Sequence, residues 1–301
     1  MTESAAAPGP TQRAGTAQIG PVEIAYETLG RPGAPAVVLV AGLARQLVSW
    51  PDALCRALVD RGLFVVRFDN RDAGASSHLV GAPPPDLRAV TRGDYASVSY
   101  RLTDMAADVV GLLDVLGLPA AALVGHSMGG MIAQTVVIEY PDRVHGLVSL
   151  SSAPGVRDPW DARREALPVV LEPPPTDRTA YLEQAVRFER LIAVPPDVDG
   201  ARKRAQKEFA RGVDPEGKAR QFVAMHASGE RTHALAACRT PALVVHGALD
   251  PLIGVRAAHA TAAALPGARL LVFADMGHEL SRGHWPEFID AVGDIVVGGR
   301  S

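Results

Sequence analysis

The five residues Gly125-His126-Ser127-Met128-Gly129 constrain this chain more than any other stretch. They follow an apolar run, Ala120-Ala121-Ala122-Leu123-Val124, and lead into Met131-Ile132-Ala133-Gln134-Thr135-Val136-Val137, which reads as a helix. G-x-S-x-G between a strand and a helix describes a tight turn. The serine hydroxyl is held outward, and small residues on both sides let strand and helix approach closely. The backbone N–H of Met128 then falls at a helix N-terminus, where it faces developing negative charge. In that setting Ser127 is a candidate nucleophile. A nucleophilic serine needs a base, and the base needs a partner to fix its tautomer.

The flanking sequence repeats the same rhythm. Ala36-Val37-Val38-Leu39-Val40 is a continuous apolar run, as expected of a strand buried on both faces. Phe64 to Phe68, Gly146 to Leu150, Pro241 to His246 and Ala268 to Phe273 read as further strands. Val22 to Thr28 alternates apolar and polar residues, which predicts an edge strand exposed on one face. A helix begins near Thr103, with Met105, Val109, Leu112, Leu113 and Leu116 at helical spacing. Strands alternating with helices predict an α/β fold with a mostly parallel sheet covered on both faces.

The rhythm stops over residues 156–237, where amphipathic helical patterns and proline clusters replace buried strands. This segment is expected to be a helical cap inserted into a core made of residues 17–155 and 238–301. In such a sheet it would lie over the carboxyl ends of the strands, where ligands bind. Trp160, Leu167, Phe188, Leu191, Phe222 and Met225 in the cap suit helix packing and pocket lining equally well. Residues 1–16 are rich in Ala, Pro, Gly and Thr, lack the apolar core of a signal peptide and are expected to form a disordered tail.

Composition excludes several classes of function. A net charge of -3 and an isoelectric point near 6.3 give no reason to expect nucleic acid as partner. No apolar run reaches membrane-spanning length, so no membrane partner is expected. The two cysteines, Cys55 and Cys238, lack metal-ligand spacing and read as buried free thiols. These features point to a cytoplasmic protein; a monomer or homodimer with no metal is expected.

Of the nine histidines, His278 is the best placed base. It lies in Asp275-Met276-Gly277-His278-Glu279, a loop just after the strand ending at Phe273, and Gly277 is expected to allow a sharp turn there. His126 is expected to point elsewhere on the elbow, and His246 to pack under the site. The preferred acid is Asp250, in the loop Gly247-Ala248-Leu249-Asp250-Pro251 after the strand ending at His246; Asp275 is its rival. A single strand-end Asp is more often a turn or helix cap. Ser127, Asp250 and His278, in that chain order and each after its own strand, support one arrangement. Leu43 N–H, in Ala41-Gly42-Leu43-Ala44 after the strand ending at Val40, is expected to join Met128 N–H as the oxyanion hole. Asp69 and Arg71, in the polar turn Asp69 to Ser76, are expected to pair and brace the nearby loops.

These residues resemble the α/β-hydrolase family over 22–297. The resemblance is carried by the loop around Gly42, the D-x-R-x-x-G-x-S turn at Asp69 to Ser76, the elbow around Ser127, G-x-x-D at Gly247 to Asp250, and Gly277-His278. Asp69-Asn70-Arg71-Asp72-Ala73-Gly74 is similar to the aclacinomycin methylesterase group of actinobacterial polyketide tailoring enzymes. Two positions depart from the wider pattern: Ala41-Gly42 stands where the family often has His-Gly, and Asp72 where it has Gly. The resemblance implies an eight-stranded, mostly parallel sheet flanked by helices, with a helical cap. It implies hydrolysis of a carboxylic ester or lactone of a small, partly apolar molecule through an acyl-enzyme, with no cofactor. Cofactor-free perhydrolysis, carbon–carbon bond hydrolysis and a non-catalytic receptor are the alternatives on the same fold. Epoxide and haloalkane hydrolysis in this fold use an aspartate nucleophile, against which Ser127 argues.

Overall fold

The apolar runs become the middle of one sheet, because their backbone groups pair on both sides and helices take up both faces. A computed structural model describes residues 11–155 and 166–298. The strands are β1 (Thr11–Ile19), β2 (Val22–Gly30), β3 (Ala36–Val40), β4 (Phe64–Phe68), β5 (Ala121–His126), β6 (Val144–Leu150), β7 (Ala242–Gly247) and β8 (Arg269–Phe273). They pair in the order β1-β2-β4-β3-β5-β6-β7-β8. The pairs β1·β2 and β2·β4 are antiparallel, and every later pair is parallel.

Period-two alternation divides each central strand between two cores. Val37, Leu39, Val65, Val124 and Val245 face a cluster closed by α1 (Asp52–Asp60) and by Phe288 and Val292 of the C-terminal helix, Trp285–Gly298. Val38, Val40, Val66, Leu123 and Val244 face the other side, with Met105, Val109, Ile132 and Val136. Those side chains come from α3 (Leu102–Val115) and α4 (Met128–Glu139), and the short α2 (Leu87–Thr91) precedes them.

Two expectations at the amino-terminal end are corrected. β2 lies inside the sheet, between β1 and β4. The edge is β1, which takes residues 11–16 of the expected tail into a ladder running from Thr11↔Gly30 to Ile19↔Val22. β1 is held by backbone pairing and brings little apolar surface to the core beyond Ala17 and Ile19, so its composition conceals it. Residues 1–10 lie outside the described residues.

Between β6 and β7 the described residues run through α5 (Ala166–Leu171), α6 (Arg178–Ile192), α7 (Val198–Arg211), α8 (Pro215–Ala227) and α9 (Thr232–Leu235), with no strand. α10 (Val255–Ala264) then crosses from β7 to β8, and the C-terminal helix is α11. α6 packs on α7, α8 on α2, and α7 on the 3-10 turn Leu47–Ser49.

Charges from this helical segment reach buried carboxylates after β4. Asp69 accepts from Leu47 N–H at 2.6 Å and Ala75 N–H at 2.9 Å, and pairs with Arg211 of α7. It does not pair with Arg71, which instead forks onto Asp108 of α3, with both contacts at 2.6 Å. Asp72 holds a left-handed conformation, φ 64°, and takes both arms of Arg220 from α8 at 2.9 and 3.0 Å. An Asp–Arg pair is chosen by approach in space, which sequence proximity does not report.

Among the described residues, no helix is long and apolar enough to cross a membrane. Cys55 and Cys238 are buried and free.

The Asp72–Arg220 pair generates a prediction. Both side chains are almost wholly buried, so removing one leaves an uncompensated charge. Arg220→Met should lower stability by about 3–5 kcal/mol. In urea this reads as a lower midpoint with an unchanged slope. Adding Asp72→Asn to Arg220→Met should return part of the loss; additive losses would show that the pair is uncoupled.

Candidate active site

The site is built at the carboxyl ends of β3, β5 and β7 and in the loop after β8. Ser127 stands between β5 and α4 with φ 56° and ψ -122°, a conformation L residues rarely adopt. It is held there by close backbone packing. A Cβ on Gly129 would lie 2.1 Å from the Val40 carbonyl oxygen, and one on Gly125 would lie 2.2 Å from the Gly129 oxygen. Ser127 N–H donates to Leu150 O at 2.9 Å, and Ser152 Oγ donates to Ser127 O at 2.7 Å. Met128 opens α4, so its N–H is among those that helix geometry leaves without an intrahelical acceptor.

Asp250 and His278 meet, although 28 residues separate them: His278 Nδ1 lies 2.7 Å from Asp250 Oδ2. Both are buried. The other oxygen, Oδ1, accepts from Leu252 N–H at 2.8 Å and Ile253 N–H at 2.9 Å. Burial disfavours the ionised carboxylate, but the charges and hydrogen bonds of His278 and His246 outweigh it and hold Asp250 far below the usual carboxylate range. Burial likewise pulls His278 down, and the Asp250 charge and hydrogen bond carry it above its ordinary value. Asp275, the rival acid, is exposed and pairs with His284 Nε2 at 2.9 Å.

The His278 loop is fixed from two sides. His278 N–H donates to Ile192 O, at the end of α6, over 2.7 Å. Gly277 is required for this approach, since a Cβ there would lie 2.2 Å from the same oxygen. The expected reason, a sharp turn, is replaced by this contact. On the other side, His126 Nε2 lies 2.9 Å from His278 O, and the two rings are tilted by 54° with centroids 4.9 Å apart. A carbonyl only accepts, so His126 Nε2 carries the proton. Burial lowers the His126 pKa to about 4, so the ring is neutral at ordinary pH. His126 thus ties the elbow to the His278 loop, a link the sequence reading missed. His246 does lie under the site, and it also touches it, with Nε2 3.2 Å from Asp250 Oδ2.

The loop after β3 brings Gly42 against the elbow; a Cβ on it would sit 3.2 Å from Ser127 Cβ. Arg45 N–H donates to Gly42 O at 3.1 Å, closing a turn in which Ala44 has φ 56°. Gln221 of α8 steadies this turn by accepting from Ala44 N–H at 2.7 Å and donating to Arg71 O at 2.7 Å. Asn70 Nδ2 adds a bond to Ala41 O at 3.0 Å.

A cavity of about 280 Å³ opens over these groups. Ser127, His278, Gly42 and Leu43 line it, with Met131, Phe188, Phe222, Met225, Leu252 and Ile253 supplying apolar walls. Leu191 is not among its lining residues. Trp160 and the side chain of Leu167 lie outside the described residues. Arg45 and Glu279 form a charged end, 3.7 Å apart. Burial disfavours the Glu279 carboxylate, but Arg45, Arg204 and the nearby histidines prevail and lower it to about 2. Among the described residues, Asp72, His78 and Asp214 have donor atoms close enough to share a metal. Arg220 already bonds both aspartates there.

Residues 35–281 match the family model described as the alpha/beta hydrolase fold. Rhodomycin D methylesterase of Streptomyces peucetius is 31% identical over 279 residues, 84% of this chain and 88% of the relative. 3-Oxoadipate enol-lactonase 2 of Acinetobacter baylyi is 30% identical over 146 residues, 48% of each. The crystal structure of a hydrolase from Pseudomonas aeruginosa superposes with a TM-score of 0.70 at 26% identity, covering 96% of this chain and 98% of that one.

The elbow contact can be tested directly. Gly129→Ala puts a methyl group against carbonyl oxygens at 2.1 and 2.7 Å that belong to a central strand and its loop. It should lower stability by on the order of 3 kcal/mol. Gly293→Ala, with nothing within 4 Å of the added carbon, should not destabilise. Equal thermal unfolding midpoints for the two variants would refute the contact.

Proposed function

The chain belongs to the α/β-hydrolase fold family and is a hydrolase acting on ester bonds; we propose that it cleaves a carboxylic ester of a small, partly apolar molecule through an acyl-serine intermediate on Ser127. The observation that carries this reading is the buried 2.7 Å bond between His278 Nδ1 and Asp250 Oδ2, with His278 and Ser127 lining one cavity. An ionised Asp250 only accepts, so Nδ1 of the neutral ring carries the proton and Nε2 bears a lone pair. That nitrogen takes the Ser127 proton as Oγ attacks the ester carbonyl. Asp250 stabilises the imidazolium that results.

Leu43 and Met128 N–H are assigned to the oxyanion. His278 then returns the proton to the leaving alcohol and activates water for deacylation. α5 to α9 act as the cap, and their apolar residues at the cavity wall receive the acyl part. Likeness to a methylesterase along most of both chains favours a methyl ester. The shorter likeness to an enol-lactonase supports ring opening of a lactone by the same groups.

Ser127→Ala should fold normally and lose turnover of p-nitrophenyl acetate, together with covalent labelling by a fluorophosphonate. Retained turnover would remove Ser127 from the mechanism. The pH dependence follows from His278. Its pKa is raised, and the base must be neutral, so activity is lost as pH falls through a value above about 6.5. Asp250→Asn should cut kcat by about 10³–10⁴-fold and move the acid limb of kcat/KM to lower pH. An unmoved limb would separate Asp250 from His278.

A further inference from the structure

His246, next to last in β7, is a fully buried histidine that the proposed mechanism does not use. Its Nε2 lies 2.7 Å from Ile253 O and 3.2 Å from Asp250 Oδ2. A carbonyl oxygen only accepts, so Nε2 carries the ring proton. Nδ1 is buried without a hydrogen-bond partner. This N–H lies between two acceptors that belong to a single turn.

That turn is closed around the carboxylate. Leu252 and Ile253 N–H donate to Oδ1 at 2.8 and 2.9 Å. His278 Nδ1 lies 2.7 Å from Oδ2, with His246 Nε2 beside the same oxygen. A carboxylate has about four acceptor sites, and four donors surround this one. We propose that His246 is a positioning residue for the acid: its Nε2–H, shared between Ile253 O and Asp250 Oδ2, orients the carboxylate and draws negative charge from the oxygen that His278 uses. This rests on the reading of Asp250 and His278 as the acid–base pair.

Two rings share one oxygen, so each limits what the other receives. With His246 in place, Asp250 raises His278 less than it would alone. The other charged groups acting on His278 are Glu279, which raises it, and Arg45, which lowers it; neutral His126 packs on its ring. A substitution at His246 leaves all three side chains in the protein. A histidine that only filled space would affect stability and leave the titration of His278 where it was.

The test is the pH profile of kcat/KM for p-nitrophenyl acetate. His246→Phe keeps a ring and removes the donor; His246→Gln carries an amide N–H to about the reach of Nε2. His246→Phe should lower kcat/KM by about tenfold and move the acid limb up by roughly half a pH unit. His246→Gln should return the limb towards the wild-type position. His246→Asn, whose amide is too short, should behave like His246→Phe and replaces it if that variant does not fold. A folded Phe or Asn variant with an unmoved limb, or a Gln variant whose limb moves with theirs, overturns the inference. Asp250→Ala is measured beside them. If it is inactive while the His246 limb stays fixed, this inference alone fails; if it turns over at the wild-type rate, the acid–base reading fails and the inference with it.

Discussion

The backbone of Gly129 lies against the Val40 carbonyl, and the candidate site is assembled around that contact. Because β5 pairs directly with β3, the start of α4 reaches the loop that follows β3. The same approach turns Ser127 to φ 56° and sets Gly42 beside its Cβ. A strained serine of this kind costs about 1–3 kcal/mol and persists only where its surroundings over-determine it. Here β5 and most of α4 are buried, and the Ser127 backbone is bonded to Leu150 and Ser152 of β6 and its loop.

Buried charge links the helical segment to this frame. Asp69 and Asp72 follow β4, yet their cationic partners are Arg211 and Arg220, 142 and 148 residues later. Gln221 bridges the turn after β3 to Arg71, and Ile192 O takes the His278 N–H. The groups that wall the cavity from above are thus bonded to the loops that carry the candidate site below. Displacing α6 or α8 would disturb His278 or the Leu43 turn, so pocket shape and the geometry of the candidate site are coupled.

Much of the frame was legible in sequence. The continuous apolar runs became the central strands, because a strand covered on both faces has no polar side to show. Ser127, Asp250 and His278 were each read at the carboxyl end of a strand or just beyond it, and the structure brings Asp250 and His278 into contact over one cavity with Ser127. β1 was not legible, since backbone pairing leaves no hydrophobic signature. The partner of Arg71 was misread because Asp69 is near in sequence while Asp108 is near in space. His126 and His246 looked like bystanders; nothing in their local sequence reports that a carbonyl or a carboxylate lies within reach of their rings.

By itself, the sequence determined the layered α/β architecture, the elbow and the chain order of the candidate acid–base residues. Those follow from periodicity, glycine at points of close approach, and strand ends, all of which are local properties. Only the tertiary structure decided which buried polar groups face one another: two histidines on one Asp250 oxygen, His126 on the His278 carbonyl, and arginines of α7 and α8 on aspartates after β4. A hydrogen bond or ion pair is selected by distances of about 3 Å, and those distances exist only once the strands have taken their places in the sheet.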